Sequence, residues 1–199
     1  MKQQRWRCWT VLSRSPSGTL NMSHALTIER RPLPDAPRPF EAEVLGGWIG
    51  RLAARYRMSV LEFATVHHLG LRMEDERGWL LMPALQKSSL DALAALTRLG
   101  RTRIKGIDAP PAWTGERHHF CYCARCVFLN PLDVASPIWR TEWLDQDLFA
   151  CPTHGDEFRT LRSGSVLACK NMDQLLALVS RQERDLWNGM HASRASRVH

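Results

Sequence analysis

A chain of 199 residues with 44% hydrophobic side chains holds enough apolar material for a real core, in one domain or two small ones. Its formal charge of +7 and pI near 9.5 favour phosphate-rich partners, because Lys and Arg that replace condensed counterions gain affinity without reading sequence. No run of 18 or more apolar residues suits a membrane span and no secretory leader is visible, so the six cysteines read as reduced thiols of a cytoplasm, not as a secreted disulfide framework.

Residues 1 to 24 carry Arg5, Arg7 and Arg14 among Trp6, Cys8 and Trp9 with no sustained period. Disorder is expected here, either as sequence ahead of a start at Met22 or as a basic arm for nucleic acid. Glu29 to Phe40 has four prolines and reads as an extended lead-in. In EAEVLGGWIGRLAARY, residues 41–56, the side chains Val44, Leu45, Trp48, Ile49, Leu52, Ala53 and Tyr56 form one stripe at helical spacing. Gly46 and Gly47 weaken that helix locally and are candidates for close backbone packing. After a break at Arg57 and Met58, Ser59 and Glu62 form a capping box for a second helix running to about Leu69 and stopping at Gly70.

Two helices joined so tightly are compatible with a helix-turn-helix, although most such pairs are packing units. The second helix offers no arginine, asparagine or glutamine for base edges. Arg51, Arg55 and Arg57 are the better candidates there, as contacts to a nucleic-acid backbone. A charged turn and WLLMP follow, then a capping-box-like start at Ser88 to Asp91 for a helix that Gly100 ends. Arg98, Arg101, Arg103 and Lys105 put four cations in eight positions, readable as a solvated helix end or as a phosphate-contacting patch. Ala109 to Gly115 reads as a linker.

The stretch from Phe120 to Phe158 organises the chain. Cys123 and Cys126 stand two residues apart, and after 24 intervening residues Cys151 and His154 repeat that spacing. Two tight turns, each offering two ligands, close a tetrahedral Cys3His site suited to structural Zn2+. Four protein ligands leave no position for substrate, so the site reads as a staple and the protein as no enzyme. Cys121, Cys169, His118 and His119 are alternative ligands. A zinc deaminase shares the Cys-x-x-Cys pair but needs His-x-Glu upstream, which Glu116 to His119 does not supply, and HExxH, GxSxG and the phosphate-binding GxxxxGK[ST] are absent. Beyond the module, Arg159 to Lys170 reads as irregular or as a short strand pair. A last helix from Asn171 to about Trp187 either closes the core or docks a partner, ahead of a frayed tail.

The expected fold is mostly α: a helix-turn-helix-like N-terminal part at 33–108, a zinc-finger module at 109–160 and a C-terminal helix within 161–199, preceded by a disordered basic extension at 1–32. PRPFEAEVLGGWIGRLAARYRMS, with Glu43, Trp48 and Arg51 to Ala53, and YCARC, IWRTEWL and CPTHG, with Cys123, Cys126, Arg140, Trp143, Cys151 and His154, together resemble the TniQ family of bacterial transposition proteins. Ala124 stands where that family usually has proline. The resemblance covers roughly 33–160. It implies a helical, zinc-stapled adaptor that links a target, DNA or an RNA-guided complex, to an AAA+ ATPase regulator, with a homodimer left open. A zinc-containing helix-turn-helix transcription regulator is the alternative.

Overall fold

The computed structural model describes residues 31–71, 78–115, 117–129 and 138–195. The N-terminal stretch expected to be disordered lies almost wholly outside these residues, as does most of the charged turn before Trp79. The first helix, α1, spans Leu45–Arg55. It begins later than the apolar stripe suggests because Val44 is extended and its amide donates to the carbonyl of Trp139 at 2.9 Å. The stripe itself holds: Leu45, Trp48, Ile49, Leu52 and Ala53 are all buried.

Ser59 caps α2, Val60–Val66, through the expected capping box: the Glu62 amide donates to Ser59 Oγ at 3.1 Å and the Ser59 amide to the Glu62 carboxylate at 2.8 Å. This helix stops short of Leu69 because His68 takes a left-handed conformation (φ 49°), as does Gly70. The next helix, α3, spans Lys87–Thr97. It starts ahead of Ser88, with Gln86 at the N-cap, which leaves Ser88 inside the first turn, and Asp91 is paired with Arg101, so no capping box forms there. Arg98 in the left-handed region ends it. Gly100 does not end α3 but opens a short α4, Arg101–Lys105, and the 109–115 linker contains a 3-10 turn at Pro111–Thr114.

The C-terminal half begins with β1, His119–Tyr122, and α5, Ala124–Phe128. The expected strand pair forms: β2, Arg159–Arg162, lies antiparallel to β1 with Phe120 opposite Leu161. Then come α6, Ser163–Leu167, and α7, Met172–Ala195. Asn171 starts α7 by accepting from the Gln174 amide at 3.1 Å, and the helix continues past the expected end near Trp187. Its apolar residues Met172, Leu175 and Val179 are buried against the rest. The fold is therefore mostly helical with one small sheet, and a single cluster of buried side chains runs from Leu33 to Val179. Among the described residues no helix is long and apolar enough to cross a membrane.

Gly46 shows why α1 tolerates a poor helix former. A Cβ there would lie 2.6 Å from the Leu80 carbonyl oxygen and closer still to that of Trp79, both in a 3-10 turn at Trp79–Leu81. Those atoms are backbone and cannot swing aside. The expected result is that Gly46→Ala destabilises by roughly 1–3 kcal/mol despite a gain in helix propensity of about 1 kcal/mol. Gly164→Ala, with nothing within 4 Å of its Cβ, is expected to be neutral or stabilising. Urea denaturation of both variants, metal-saturated, checks the difference in sign.

Candidate metal centre

The first ligand turn is built by Cys123 at the N-cap of α5, where its sulfur accepts from the Cys126 amide at 3.5 Å. The second is a tight reversal. Gly155 adopts φ 70°, which lets the chain fold back so that the Cys151 amide donates to Asp156 O at 2.8 Å. Together the turns bring four donor atoms within 4.8 Å of one another: the sulfurs of Cys123, Cys126 and Cys151 and a ring nitrogen of His154.

His154 Nδ1 lies 3.4, 3.3 and 3.6 Å from the sulfurs of Cys123, Cys126 and Cys151, and Cys126 and Cys151 are 3.6 Å apart. A tetrahedral zinc with bonds near 2.3 Å to sulfur and 2.0–2.1 Å to nitrogen requires edges of about 3.6–3.8 Å. The donor set therefore fits a four-coordinate metal ion in both chemistry and spacing.

Electrostatics favours a cation at the same point. Burial pushes the Cys123 and Cys126 thiols above their ordinary value. Burial acts on Cys151 too, but the backbone amides of His154 and Thr153 and hydrogen bonds from the other two thiols outweigh it and hold this thiol below the ordinary value. One thiolate forms readily, and its charge opposes the next two. A bound cation removes that opposition.

The alternative ligands are placed elsewhere. Cys121 points from β1 to the face opposite the buried Phe120 and Tyr122. The Cys169 thiol faces the Ser165 carbonyl at 3.3 Å, and neither His118 nor His119 joins the cluster.

The two blocks of the sequence meet beside the metal cluster. Glu43 and Arg140 form an antiparallel bridge, and the Thr141 amide donates to Ala42 O at 2.8 Å. The Glu43 side chain turns inward to Arg51, with Nε–Oε1 at 2.6 Å and Nη2–Oε2 at 2.7 Å, while Phe40 lies 5.0 Å from the guanidinium. Arg140 instead pairs with Glu142 at 2.7 Å. Trp143 packs edge-on against Trp139, with ring centroids 5.2 Å apart, and Trp139 adjoins Tyr122, the neighbour of Cys123. Trp48 is fully buried and its indole donates to Pro37 O at 2.8 Å, fixing the lead-in.

Of the arginines considered for nucleic acid, Arg51 is 6% exposed and committed to Glu43, which removes it from a phosphate-contacting role. Arg55 is exposed but paired with Asp35 at 2.7 Å, and Arg57 is exposed. Arg101, Arg103 and Lys105 are exposed on α4. The outward side chains of α2 are Leu61, Glu62, Thr65 and Val66, an apolar and acidic set unsuited to a groove.

Sequence reasoning missed the tie between α7 and the metal module. Tyr122 OH donates to Glu183 at 2.7 Å and accepts from Gln182 at 3.1 Å, while Arg159 pairs with Glu183 at 3.1 Å. The only available signal was a tyrosine beside a ligand cysteine and a polar pair two turns into a helix.

A family model described as TniQ matches residues 34–157, more than half of the chain and both the helical part and the metal cluster. No curated protein matches the chain.

Proposed function

The chain belongs to the TniQ family, and on that premise we propose that it is a non-enzymatic target-selection adaptor in DNA transposition, linking target DNA or a targeting complex to an AAA+ transposition regulator. The family places the chain among transposition-associated proteins, a group that is generally accessory and non-catalytic. One observation carries the finer reading: all four donors at the centre come from the protein itself, in a closed cluster joined through Glu43 and Arg140 to the helical part. A closed set suits a structural ion and leaves no site for substrate. Zinc, when bound by Cys123, Cys126, Cys151 and His154, supplies cross-linking energy rather than chemistry.

Such a body presents surfaces, which is what an adaptor requires. The test is a pull-down of the zinc-quantified protein with an AAA+ transposition regulator, on DNA, with and without ATP. ATP-dependent co-assembly supports the adaptor. Fully metallated protein that ignores the ATPase yet retains one specific duplex overturns it in favour of a helix-turn-helix transcription regulator.

A further inference from the structure

The cations of this chain are not spread evenly over its surface. The lead-in segment is tied to the end of α3 by the Leu33 amide, which donates to Leu96 O at 2.8 Å, and to α4 by Arg103, whose Nη2 donates to Pro39 O at 3.2 Å. Arg31 and Arg38 are thereby carried to the corner that already holds Arg98, Arg101, Arg103 and Lys105, and all six are exposed. Three carboxylates stand among them, and Asp35 of the lead-in is taken by Arg55. Asp91 pairs with Arg101 at 2.6 Å, and half-buried Asp108, its carboxyl pushed up by burial, attracts Lys105. Arg31, Arg38, Arg98 and Arg103 have no ion-pair partner among the described residues.

Other basic regions are more nearly balanced by carboxylates, although Arg162 and Arg181 in the groove between β2 and α7 have no ion-pair partner among the described residues. Arg55 is paired with Asp35, and along the groove between β2 and α7 Arg125 and Arg159 are paired with Asp156 and Glu183, with Glu157 and Asp185 beside them. Core packing holds the corner together against its own repulsion, and an external polyanion relieves that repulsion.

We propose that this corner, formed by the lead-in segment and the turn from α3 to α4, docks the phosphate backbone of a DNA duplex without reading its sequence; the inference rests on the adaptor reading only in taking the duplex to be target DNA. The eight residues from Arg31 to Arg38, bent at Pro34 and Asp35, span less than about 25 Å. At 3.4 Å per phosphate along one strand, that is room for at most about seven phosphates. With five residues α4 is too short to occupy a major groove, and no asparagine or glutamine accompanies the cations, so the contacts are to backbone rather than to base edges.

The experiment is fluorescence anisotropy of zinc-loaded protein with two 30-base-pair duplexes of unrelated sequence between 50 and 200 mM NaCl. It compares the wild type with R31A/R38A/K105A and with R162A/R181A/R184A, an equal charge change elsewhere. Among the described residues none of the three patch side chains donates a hydrogen bond within the protein, and zinc content and melting temperature confirm folding. The patch variant is expected to bind both duplexes on the order of tenfold or more weakly at 100 mM salt, and to lower the slope of log Kd against log salt by about 2–3. The control is expected to change little. Equal losses in both variants, an unchanged patch variant, absence of wild-type duplex binding at 50 mM salt, or a tenfold preference for an RNA hairpin each overturn the proposal. Co-assembly with the ATPase is read separately, in the pull-down described above. Failure of wild-type protein to co-assemble on DNA with ATP, while it still binds both duplexes, would sink the adaptor and leave the patch result standing.

Discussion

Cys126→Ser is expected to strip the metal from the protein and to unfold far more than the two ligand turns. Structural zinc contributes roughly 10–16 kcal/mol of apparent binding energy in small modules, against about 5–15 kcal/mol for the net stability of an ordinary domain. A three-donor remnant binds far more weakly. The loss spreads because Cys123 and Cys151 belong to the same buried cluster as Trp48, Trp139 and Leu175. Zinc per chain should fall from one towards zero, the helical circular dichroism should drop, and a strong chelator should reproduce both effects on the wild type. Full helicity and an unchanged melting temperature without metal would show that the cluster is dispensable.

The same reasoning fixes the direction with pH. Metal binding requires all three thiols deprotonated, yet burial holds Cys123 and Cys126 above the ordinary thiol value while Cys151 lies below it. Binding therefore releases protons from the buried Cys123 and Cys126 thiols. Zinc affinity must fall as pH falls, and competition with a chromophoric chelator at pH 8 and pH 6 measures it.

Glu43→Ala is expected to cost about 3–5 kcal/mol, because it leaves the Arg51 guanidinium buried without its partner. Replacing both residues together, Glu43→Leu with Arg51→Met, is expected to cost less than either single change, since the expense of a buried pair lies in taking charge out of water. Burial pushes the Glu43 carboxyl above its ordinary value even though Arg51 pulls it back. With the folded value raised, the stability linked to this group is fully present below the unfolded value and is lost as pH rises through the folded one. Acidification from pH 7 to pH 5 should therefore not reduce the stability linked to this group, and Glu43→Gln should be milder than Glu43→Ala. Urea denaturation of Glu43→Ala, Glu43→Gln, Glu43→Leu, Arg51→Met and the double variant at both pH values checks the order.

Much of the arrangement was legible in the residues. The stripe from Leu45 to Ala53 gave α1, Ser59 and Glu62 gave the start of α2, and the matched Cys-x-x-Cys and Cys-x-x-His turns named the cluster, because each is a local pattern with one cheap geometric solution. What stayed hidden depends on partners distant in sequence. Arg51 looked like a surface cation because periodicity places it beside the stripe, but only the folded lead-in reveals that Glu43 and Phe40 enclose it. Ser88 suggested a cap, yet α3 already starts at Lys87 and the Asp91 that would complete the box is taken by Arg101. The helix α4 was obscured because Arg101 to Lys105 shows too few turns for any period to emerge.

The bridge between Glu43 and Arg140 also governs the order in which the chain can mature. Thr141 reaches back 99 positions to Ala42, and Asn171 reaches back 113 to the carbonyl of Met58. At ribosomal speeds of about 5–20 residues per second, about 5–20 s separates synthesis of the two sides of that bridge. Throughout this interval the first helix lacks the strand that fixes its start and the tryptophans that cover it. Native closure must await both the second ligand turn and an ion to hold it, so scarcity of metal during translation would leave a long, apolar nascent segment in search of other partners.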